Sequence, residues 1–215
     1  MNSATSAPSR PSVRKATRDD VPRLALALAR AFDTDPPMRW FLRDEARRVE
    51  QARDMFDVML RTVHLARDAC YTTEGVIGGA LWVPPGRWQL GFVQQLRLLP
   101  GMIRVFGRDL PRAQRGLAVM DSGHPRRPHW YLDSLGVEPE WQGKGIGSAL
   151  MAPVLEICDG DRMPAYLNAG SPRSRELYRR HGFTVTDEFR LPEGGPPLWR
   201  MWREPGAQAV PATAR

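Results

Sequence analysis

The sequence of 215 residues predicts an α/β domain, because strand-like and helix-like patterns alternate along most of the chain. The clearest unit spans residues 135–150, where a strand ending at Val137 leads through a turn at Pro139 into a glycine-rich loop and a helix. A chain of this length can fill one hydrophobic core, and nothing in its composition requires a second. We therefore expect a single domain over residues 13–204.

Both ends of the chain are expected to lie outside this domain. Residues 1–12 are rich in Ser, Ala and Pro, a composition that buries little apolar surface, and they predict a disordered segment. Residues 205–215 predict a flexible tail, because polar and small residues at a chain end order poorly.

The first third of the chain predicts a strand followed by two helical regions. Residues 13–16 form the strand, and residues 17–20 supply capping side chains ahead of an amphipathic helix. Pro36 and Pro37 end this helix, because proline disfavours helical geometry in the residue before it. A second helical region is expected over residues 38–67.

The middle of the chain predicts a β-hairpin and then an insertion. Residues 70–73 and 76–83 are two strands joined through a turn. Residues 87–127 form the insertion, with helix-like pieces around Pro100 and Pro111 and many apolar side chains. So much apolar surface must cover a core, line a pocket or meet a partner.

The last third predicts four strands and two helices. Strand 129–137 breaks its alternation of apolar and polar residues once, which indicates a β-bulge near Asp133 and Ser134. After the helix that follows the glycine-rich loop comes a strand, a helix that begins with a Ser-Pro cap, and an antiparallel pair of strands. These last four elements are expected over residues 165–168, 173–180, 183–189 and 198–202.

The glycine-rich loop has the features of a pyrophosphate site. Gly143, Gly145 and Gly147 occupy alternate positions, so no Cβ screens their N–H groups at the start of a helix, where the dipole favours an anion. A dinucleotide fingerprint is excluded, because its third glycine would fall on Ser148. A P-loop is excluded as well, because Lys144 is followed by glycine instead of Ser or Thr.

Two motifs carry a resemblance to a known family. Residues 142–147 read Gln-Gly-Lys-Gly-Ile-Gly and match the Gln/Arg-x-x-Gly-x-Gly/Ala signature of the GNAT acetyltransferase superfamily. Residues 177–183 match its Leu-Tyr-x-x-x-Gly-Phe stretch. Within the superfamily, most of residues 13–204 resembles puromycin N-acetyltransferase and its actinobacterial relatives, apart from the insertion. The resemblance implies a mixed, strongly twisted sheet of six to seven strands flanked by helices, with a helical insertion before the fourth strand.

The resemblance implies acetyl-CoA as co-substrate, direct transfer of its acetyl group to an amine, and no metal. Tyr178 occupies the family position of the general acid that protonates the leaving thiolate. Asp133, beside the expected bulge, is the candidate general base, and backbone N–H groups near residues 135–137 are candidates for holding the developing oxyanion. The expected cofactor-binding residues are Leu135, Gly136, Val137, Gln142, Gly143, Lys144, Gly145, Ile146, Gly147, Ser148 and Ser174.

The acceptor is expected to be the primary amine of a small molecule, of the kind found in antibiotics or aminonucleosides. Its charge would be attracted by Asp33 and Asp35, and its apolar body would be covered by Trp40, Trp88 and Phe92. Three alternatives stay open: acetylation of a protein N-terminus or lysine, a non-catalytic acyl-CoA-binding module, and an insertion that serves a dimer interface instead of a pocket. The protein is expected to be a monomer or a homodimer.

Composition argues against other classes of partner. The formal charge of +7 comes almost entirely from scattered arginines, and no basic region carries interleaved aromatics, so we expect no nucleic-acid partner. No apolar run has the length of a membrane span, and no signal-peptide core precedes the domain, which predicts a cytoplasmic protein. Cys70 and Cys158 are expected to be free, buried thiols. His64 and His124 are interpreted as polar-face or loop residues.

Overall fold

The computed structural model describes residues 12–207, in which seven strands form one sheet. The strands are β1 Val13–Lys15, β2 Cys70–Thr73, β3 Gly78–Val83, β4 Trp130–Val137, β5 Ala165–Ala169, β6 Thr184–Arg190 and β7 Pro197–Arg203. Their order across the sheet is β1-β2-β3-β4-β5-β7-β6. All neighbours are antiparallel except β4 and β5, which are parallel. This mixed, mostly antiparallel sheet confirms the predicted α/β class.

Seven α-helices accompany the sheet within the described residues. They are α1 Val21–Phe32, α2 Pro36–Phe41, α3 Arg48–Met59, α4 Phe92–Phe106, α5 Leu110–Ser122, α6 Ile146–Gly160 and α7 Pro172–Arg180. None of the helices within residues 12–207 has the length and apolar character needed to cross a bilayer.

The helical region expected over residues 38–67 is divided in the structure. Pro36 and Pro37 begin α2, because proline fits the first helical turn, where a backbone N–H has no intrahelical partner. Residues 42–47, which begin with the extended Leu42, then separate α2 from α3. After α3 the helix widens into a π-helical turn, Leu60–His64, and the helical region ends in a 3-10 turn, Leu65–Arg67. The predicted helical region is therefore present, but residues 42–47 interrupt it.

Two apolar cores lie on opposite faces of the sheet. On one face, α6 packs against β3 and β4, and its buried side chains include Leu150 and Val154. On the other face, α1 and α3 pack together over the sheet, with Leu24 and Phe56 fully buried between them. We call these the α6 face and the α1 face. Cys70 and Cys158 are free and buried, as predicted, one in each core.

The bulge predicted near Asp133 and Ser134 is present in β4. Ser134 pairs with Leu81 and Leu132 pairs with Trp82, so Asp133 is an extra residue in the ladder between β3 and β4. This confirms the interpretation of the broken alternation, because one added residue shifts every later side chain to the opposite face.

Beyond the bulge, β4 and β5 part from each other. Their parallel pairing covers residues 130–132 of β4 and 165–167 of β5. Past Leu132, β4 pairs with β3 alone, and past Leu167, β5 pairs with β7 alone. The backbone edge of residues 133–137 that faces β5 is consequently free of sheet pairing to β5. The separation opens a gap in the middle of the sheet.

The insertion folds as α4 and α5, in agreement with the two helix-like pieces expected around Pro100 and Pro111. A buried arginine, Arg112, fixes α5 to the domain: its guanidinium lies 3.7 Å above the centre of the Trp40 ring and donates to the Trp40 carbonyl. Glu193, in the loop between β6 and β7, accepts from Arg115 of α5 at 2.5 Å. The insertion is thereby tied to α2 and to the β6–β7 loop.

The structure describes only a small part of the two chain ends. The predictions for residues 1–11 and 208–215 lie outside the described residues. Residues 205–207, expected in the flexible tail, form a turn, and the N–H of Gly206 donates to Oδ1 of Asp159 at 2.7 Å. Arg203 holds the same carboxylate through both terminal nitrogens, at 2.7 and 2.8 Å.

Candidate active site

The glycine-rich loop joins the end of β4 to the start of α6. Gly143 and Gly145 have φ angles of +78° and +79°, a left-handed conformation that glycine adopts without steric cost. A Cβ at either position would meet no atom within 4 Å, so the space beside both residues is open. Gly147 lies within the helix, where a Cβ would approach Leu177 at 3.6 Å. Backbone conformation thus requires glycine at the first two positions.

The start of α6 presents unpaired donors to this open space. The first intrahelical bond runs from the N–H of Ala149 to the carbonyl of Gly145 at 3.0 Å. The N–H groups of Ile146, Gly147 and Ser148 therefore precede the helical ladder and have no intrahelical acceptor. With the positive end of the helix dipole, this row of donors fits the charge and shape of a pyrophosphate.

Three side chains expected to bind the cofactor have partners within the protein. The amide of Gln142 donates to the carbonyl of Val137 at 2.9 Å, which closes the loop onto the end of β4. The hydroxyl of Ser148 lies 2.8 Å from Nε2 of His181. Ser174 forms a reciprocal cap with Ser171 at the start of α7, with bonds of 3.0 to 3.2 Å. Their observed role is to shape the loop and the helix ends.

Other predicted cofactor residues border the gap between β4 and β5. Leu135 and Val137 point to the α6 face, and Gly136 points to the α1 face, where a Cβ would clash with Leu28 at 2.9 Å. Lys144 is exposed, with its ammonium 4.6 Å from the centre of the Trp141 ring. The glycine loop, the start of α6 and the unpaired edge of β4 are continuous along the chain.

Tyr178 lies in the apolar core of the α6 face. It is only 7% exposed, and its ring is 6.0 Å from that of Phe183. Burial raises the pKa of its hydroxyl well above the ordinary value of 10, and the nearby carboxylate of Asp35 raises the pKa further. The hydroxyl therefore keeps its proton at neutral pH, as a general acid must.

Asp35 connects the loop after α1 to the gap in the sheet. Its Oδ2 accepts the N–H of Met38 at 3.3 Å and caps α2. Its Oδ1 lies so close to Gly170, which follows β5, that a Cβ there would be 3.0 Å from it. Burial raises the pKa of this carboxyl to about 6, although the Met38 N–H works against the shift. A pKa in that range suits a proton acceptor at neutral pH.

Asp133, the predicted base, lies in a different environment. Its Oδ2 is 3.3 Å from Nε2 of His64 and accepts from the Ser134 hydroxyl at 3.1 Å. Burial acts to raise the pKa of Asp133, but His64, Ser134 and the charge of Arg67 outweigh it and hold the pKa below the ordinary value of 3.8. A carboxylate held in its ionised form is a weak proton acceptor, so Asp133 is less suited than Asp35 to accept a proton.

Three residues expected to contact the acceptor lie elsewhere. Asp33 is next to the buried Arg48, with Oδ1 and Nη1 3.4 Å apart. Trp40 is 8% exposed and packs in a small third core with Leu191, which leaves no face for a ligand. Phe92 is 74% exposed at the outer start of α4. The structure therefore does not bring Asp33, Trp40 and Phe92 together, because local sequence could not show which way the insertion and the loop after α1 would turn.

Trp88 does reach the sheet, through His124, Tyr131 and Tyr166, and none of these three was predicted to be a site residue. Its ring stacks on His124 with a centroid distance of 3.9 Å. His124 in turn meets Tyr131 of β4 and Tyr166 of β5 edge to face, each at 5.0 Å. Tyr131 and Tyr166 are register partners in the last paired stretch before the gap. Because side chains alternate along a strand, Tyr131 and Tyr166 point to the face opposite that of Leu132 and Leu167. This alternation could be seen in the sequence.

The comparisons with known proteins identify the family of this chain. The model of the Acetyltransferase (GNAT) family matches residues 38–183. An uncharacterized N-acetyltransferase of Schizosaccharomyces pombe is 26% identical over 92% of this chain and 85% of its own length. The L-amino acid N-acetyltransferase AaaT of Escherichia coli is 29% identical, over 28% of this chain and 40% of its own.

A solved structure from Corynebacterium glutamicum, described as histone acetyltransferase HPA2 and related acetyltransferase, has the same fold. It is 25% identical, with a TM-score of 0.68, and the match covers 95% of this chain and 99% of that one. The family match extends from α2 through the glycine loop to the end of α7, so it includes both parts of the site. The protein belongs to the GNAT family of acetyltransferases.

Proposed function

We propose that this GNAT acetyltransferase transfers an acetyl group from acetyl-CoA to the primary amine of a small molecule, by direct attack in a ternary complex. The observation that carries the proposal is the position of Tyr178: a protonated hydroxyl near the gap between β4 and β5, on the same face of the sheet as α6. The glycine loop opens onto the same gap.

The residues present fit acetyl-CoA. Left-handed Gly143 and Gly145 leave open space before the free N–H groups of α6, and these would hold the pyrophosphate. The unpaired edge of residues 135–137 would take the pantetheine arm and the acyl oxygen. When bound, acetyl-CoA supplies an acetyl group activated as a thioester.

The protein's own groups then divide the proton transfers between them. Asp35, whose pKa is about 6, accepts the proton that the acceptor ammonium must lose before it can attack. N–H groups of residues 135–137 stabilise the negative charge that develops on the acyl oxygen. Tyr178 donates its proton to the departing sulfur, so that CoA leaves as a thiol. The nitrogen loses its second proton as the amide forms, and that proton restores the neutral Tyr178. Asp133 shapes the bulge and supplies negative charge.

The insertion supports a small acceptor over a protein. Trp88 and His124, at its two ends, lie against Tyr131 and Tyr166 of the sheet and cover the α1 face beside the gap. A protein substrate needs an open groove in this region. The name of the Corynebacterium structure includes a histone acetyltransferase, so protein acetylation is the alternative to test.

The test is an acetylation assay with the pure protein, acetyl-CoA and three sets of acceptors: small amines, peptides with free N-termini, and lysine peptides blocked at the N-terminus. Thiol release and the product mass are both measured. Acetylation of small amines with little reaction of either peptide set supports the proposal. Preferential peptide acetylation overturns the small-molecule assignment, and acetyl-CoA binding without any turnover indicates a non-catalytic module.

Several finer expectations remain predictions: the narrower resemblance to puromycin N-acetyltransferase, acetyl as the acyl group, the absence of a metal, the cytoplasmic location, the absence of nucleic-acid and membrane partners, and a monomeric or homodimeric state. Acyl-CoA variants in the same assay test the acyl group, because a longer chain must fit the gap between β4 and β5.

A further inference from the structure

A histidine from the second family motif contacts a serine in the helix that follows the glycine loop. Nε2 of His181 lies 2.8 Å from the hydroxyl oxygen of Ser148. Ser148 is in the first turn of α6, and His181 directly follows the last residue of α7. The two helices also meet through Leu177, which a Cβ on Gly147 would approach to 3.6 Å. The end of α7 therefore packs across the start of α6.

The backbone holds His181 in a fixed position. Its N–H donates to the carbonyl of Tyr178 at 2.9 Å, and its own carbonyl accepts from Nε of Arg203, also at 2.9 Å. The same guanidinium binds the carboxylate of Asp159, in the last turn of α6, through both terminal nitrogens. His181 is thereby tied to α7 and, through Arg203, to the far end of α6. A side chain on an anchored backbone can direct a hydrogen bond.

Ser148 contributes two groups to the end of α6 where an anion is expected. Its backbone N–H is one of the three that precede the helical ladder. Its side chain leans the same way, because side chains of an α-helix tilt toward the N-terminus. The residue is half-buried, and its hydroxyl has one proton to donate and two lone pairs. The contact with His181 uses only one of these, which leaves the others for a ligand.

The direction of the hydrogen bond decides what Ser148 offers to that ligand. Burial and the charges of Arg180 and Arg203 lower the pKa of His181, so its ring is neutral at pH 7. If Nε2 carries no proton, the ring accepts the serine proton, and the serine presents only lone pairs, which repel an anion. If Nε2 carries the proton, the ring donates to the serine oxygen, and the serine proton can point at an anion. A bound pyrophosphate favours the second arrangement.

We infer that His181 is a positioning residue for acetyl-CoA: its Nε2–H donates to Ser148, and the hydroxyl of Ser148 donates to the pyrophosphate. This inference rests on the proposed binding of acetyl-CoA at the start of α6 and deepens it. His181 acts through Ser148 and fixes the direction of the serine proton. A proton that is already directed loses less freedom when the ligand binds, and a hydrogen bond to a charged acceptor is about twice as strong as a neutral one.

Calorimetry with acetyl-CoA and with 3′-dephospho-CoA tests this role. Ser148→Ala should raise the Kd of both ligands about 10-fold or more, because a hydrogen bond to a charged group is lost. His181→Leu should raise it about 5-fold, because the serine proton loses its direction. In the Ser148→Ala background, His181→Leu should change the Kd little, since the group through which His181 acts is gone. An equal effect on both ligands places the contact at the pyrophosphate, which both contain.

Two amide variants separate this role from packing. His181→Gln carries an amide N–H close to the place of Nε2, whereas the shorter side chain of His181→Asn ends at the place of Nδ1 and cannot reach Ser148. His181→Gln should therefore keep an acetyl-CoA Kd close to that of the wild type, and His181→Asn should bind as weakly as His181→Leu. Circular dichroism establishes that each variant is folded. The amide pair keeps the test valid if the leucine variant does not fold.

Nitrogen NMR of the labelled imidazole ring gives a direct readout, because it distinguishes an N–H nitrogen from one without a proton. We expect a proton on Nε2 of His181 in the complex with acetyl-CoA. An Nε2 without a proton in that complex, an unchanged or lower Kd in His181→Leu, or equal losses in His181→Gln and His181→Asn would each overturn the inference and leave the proposed function intact. The proposed function fails separately, if the wild type shows the expected binding but acetylates no amine.

Discussion

Nε2 of His64 lies 3.3 Å from Oδ2 of Asp133 and joins the π-helical turn after α3 to the bulge in β4. His64 is 1% exposed, and its Nδ1 has no hydrogen-bond partner within the described residues. The interpretation of His64 as a polar-face residue was therefore wrong. A buried ring that offers a donor to an extra strand residue stabilises the bulge, and the bulge precedes the gap in the sheet.

Replacing His64 with leucine should destabilise the protein by about 1–3 kcal/mol at pH 7, because it leaves a largely buried carboxylate without its donor. The pKa of Asp133 is lowered in the folded state, so the pair stabilises above pH 3.8 and loses its effect as the pH falls through the lowered pKa. Urea unfolding of wild type and His64→Leu at pH 7 and pH 3 measures both effects.

Asp133→Asn supplies the control for this pair. In the Asp133→Asn background, His64→Leu should lower the free energy of unfolding clearly less than in the wild type. The reason is that the amide carries no charge that could lose its partner. The carboxyl pKa of Asp133, followed by carbon NMR, should rise in His64→Leu. Equal costs in both backgrounds and an unmoved pKa would show that the two side chains do not interact.

Gly145→Val should greatly weaken acetyl-CoA binding. The φ of +79° disfavours a β-branched residue, and the new side chain would project into the open space before the N–H row of α6. Calorimetry with acetyl-CoA measures the effect. Gly160→Ala, at the other end of α6 and free of nearby atoms, is the matched control and should retain full affinity. Unchanged affinity in a folded Gly145→Val protein would contradict the site.

Tyr178→Phe should lower kcat about 10²–10⁴-fold while acetyl-CoA affinity stays near the wild-type value, because only the proton donor is removed. The ring and its packing against Phe183 are retained. Tyr71→Phe, on β2 and away from the gap, controls for the loss of one hydroxyl. Turnover numbers that match the wild type, under conditions where chemistry limits the rate, would remove Tyr178 from the mechanism.

Asp35→Asn should make the protein more stable at pH 7 and change it little at pH 3. Burial raises the pKa of Asp35 from 3.8 to about 6, so the folded state disfavours the charged form. The wild type therefore loses stability as the pH rises through about 6, and an amide, which still caps α2, avoids that loss. Urea unfolding of the wild type and of Asp35→Asn between pH 3 and pH 7 measures this difference in the free energy of unfolding.

Asp19→Asn, at an exposed carboxylate before α1, controls for the removal of one negative charge. Its stability curve should run parallel to that of the wild type, whereas the curve of Asp35→Asn should diverge above about pH 4 to 6, where Asp35 ionises only in the unfolded chain. A constant difference at every pH would mean that Asp35 titrates normally. In kinetics, Asp35→Asn should also lower kcat at neutral pH if Asp35 accepts the proton.

Local chemistry explains what the sequence determined by itself. The glycine loop, the Ser-Pro cap of α7 and the bulge at Asp133 each depend on residues that are close in the chain. Backbone conformation, capping and alternation follow from neighbours, so the α/β class and the strands could be predicted. The family was predicted from the resemblance of two motifs, at residues 142–147 and 177–183. Pro36 and Pro37 show where prediction from the sequence stops. Proline can follow the end of one helix or occupy the first turn of another, and only the fold shows that these two begin α2.

The tertiary structure alone decided how the α1 face beside the gap is built. His64 meets Asp133, Trp88 and His124 meet Tyr131 and Tyr166, and Trp40 is buried beneath Arg112 of the insertion. These contacts join segments that are far apart in the chain. Which residues make contact depends on the surfaces that the sheet order and the insertion bring together. No local periodicity in the sequence predicts these contacts. The same applies to Asp35, whose high pKa comes from burial that only the assembled fold creates.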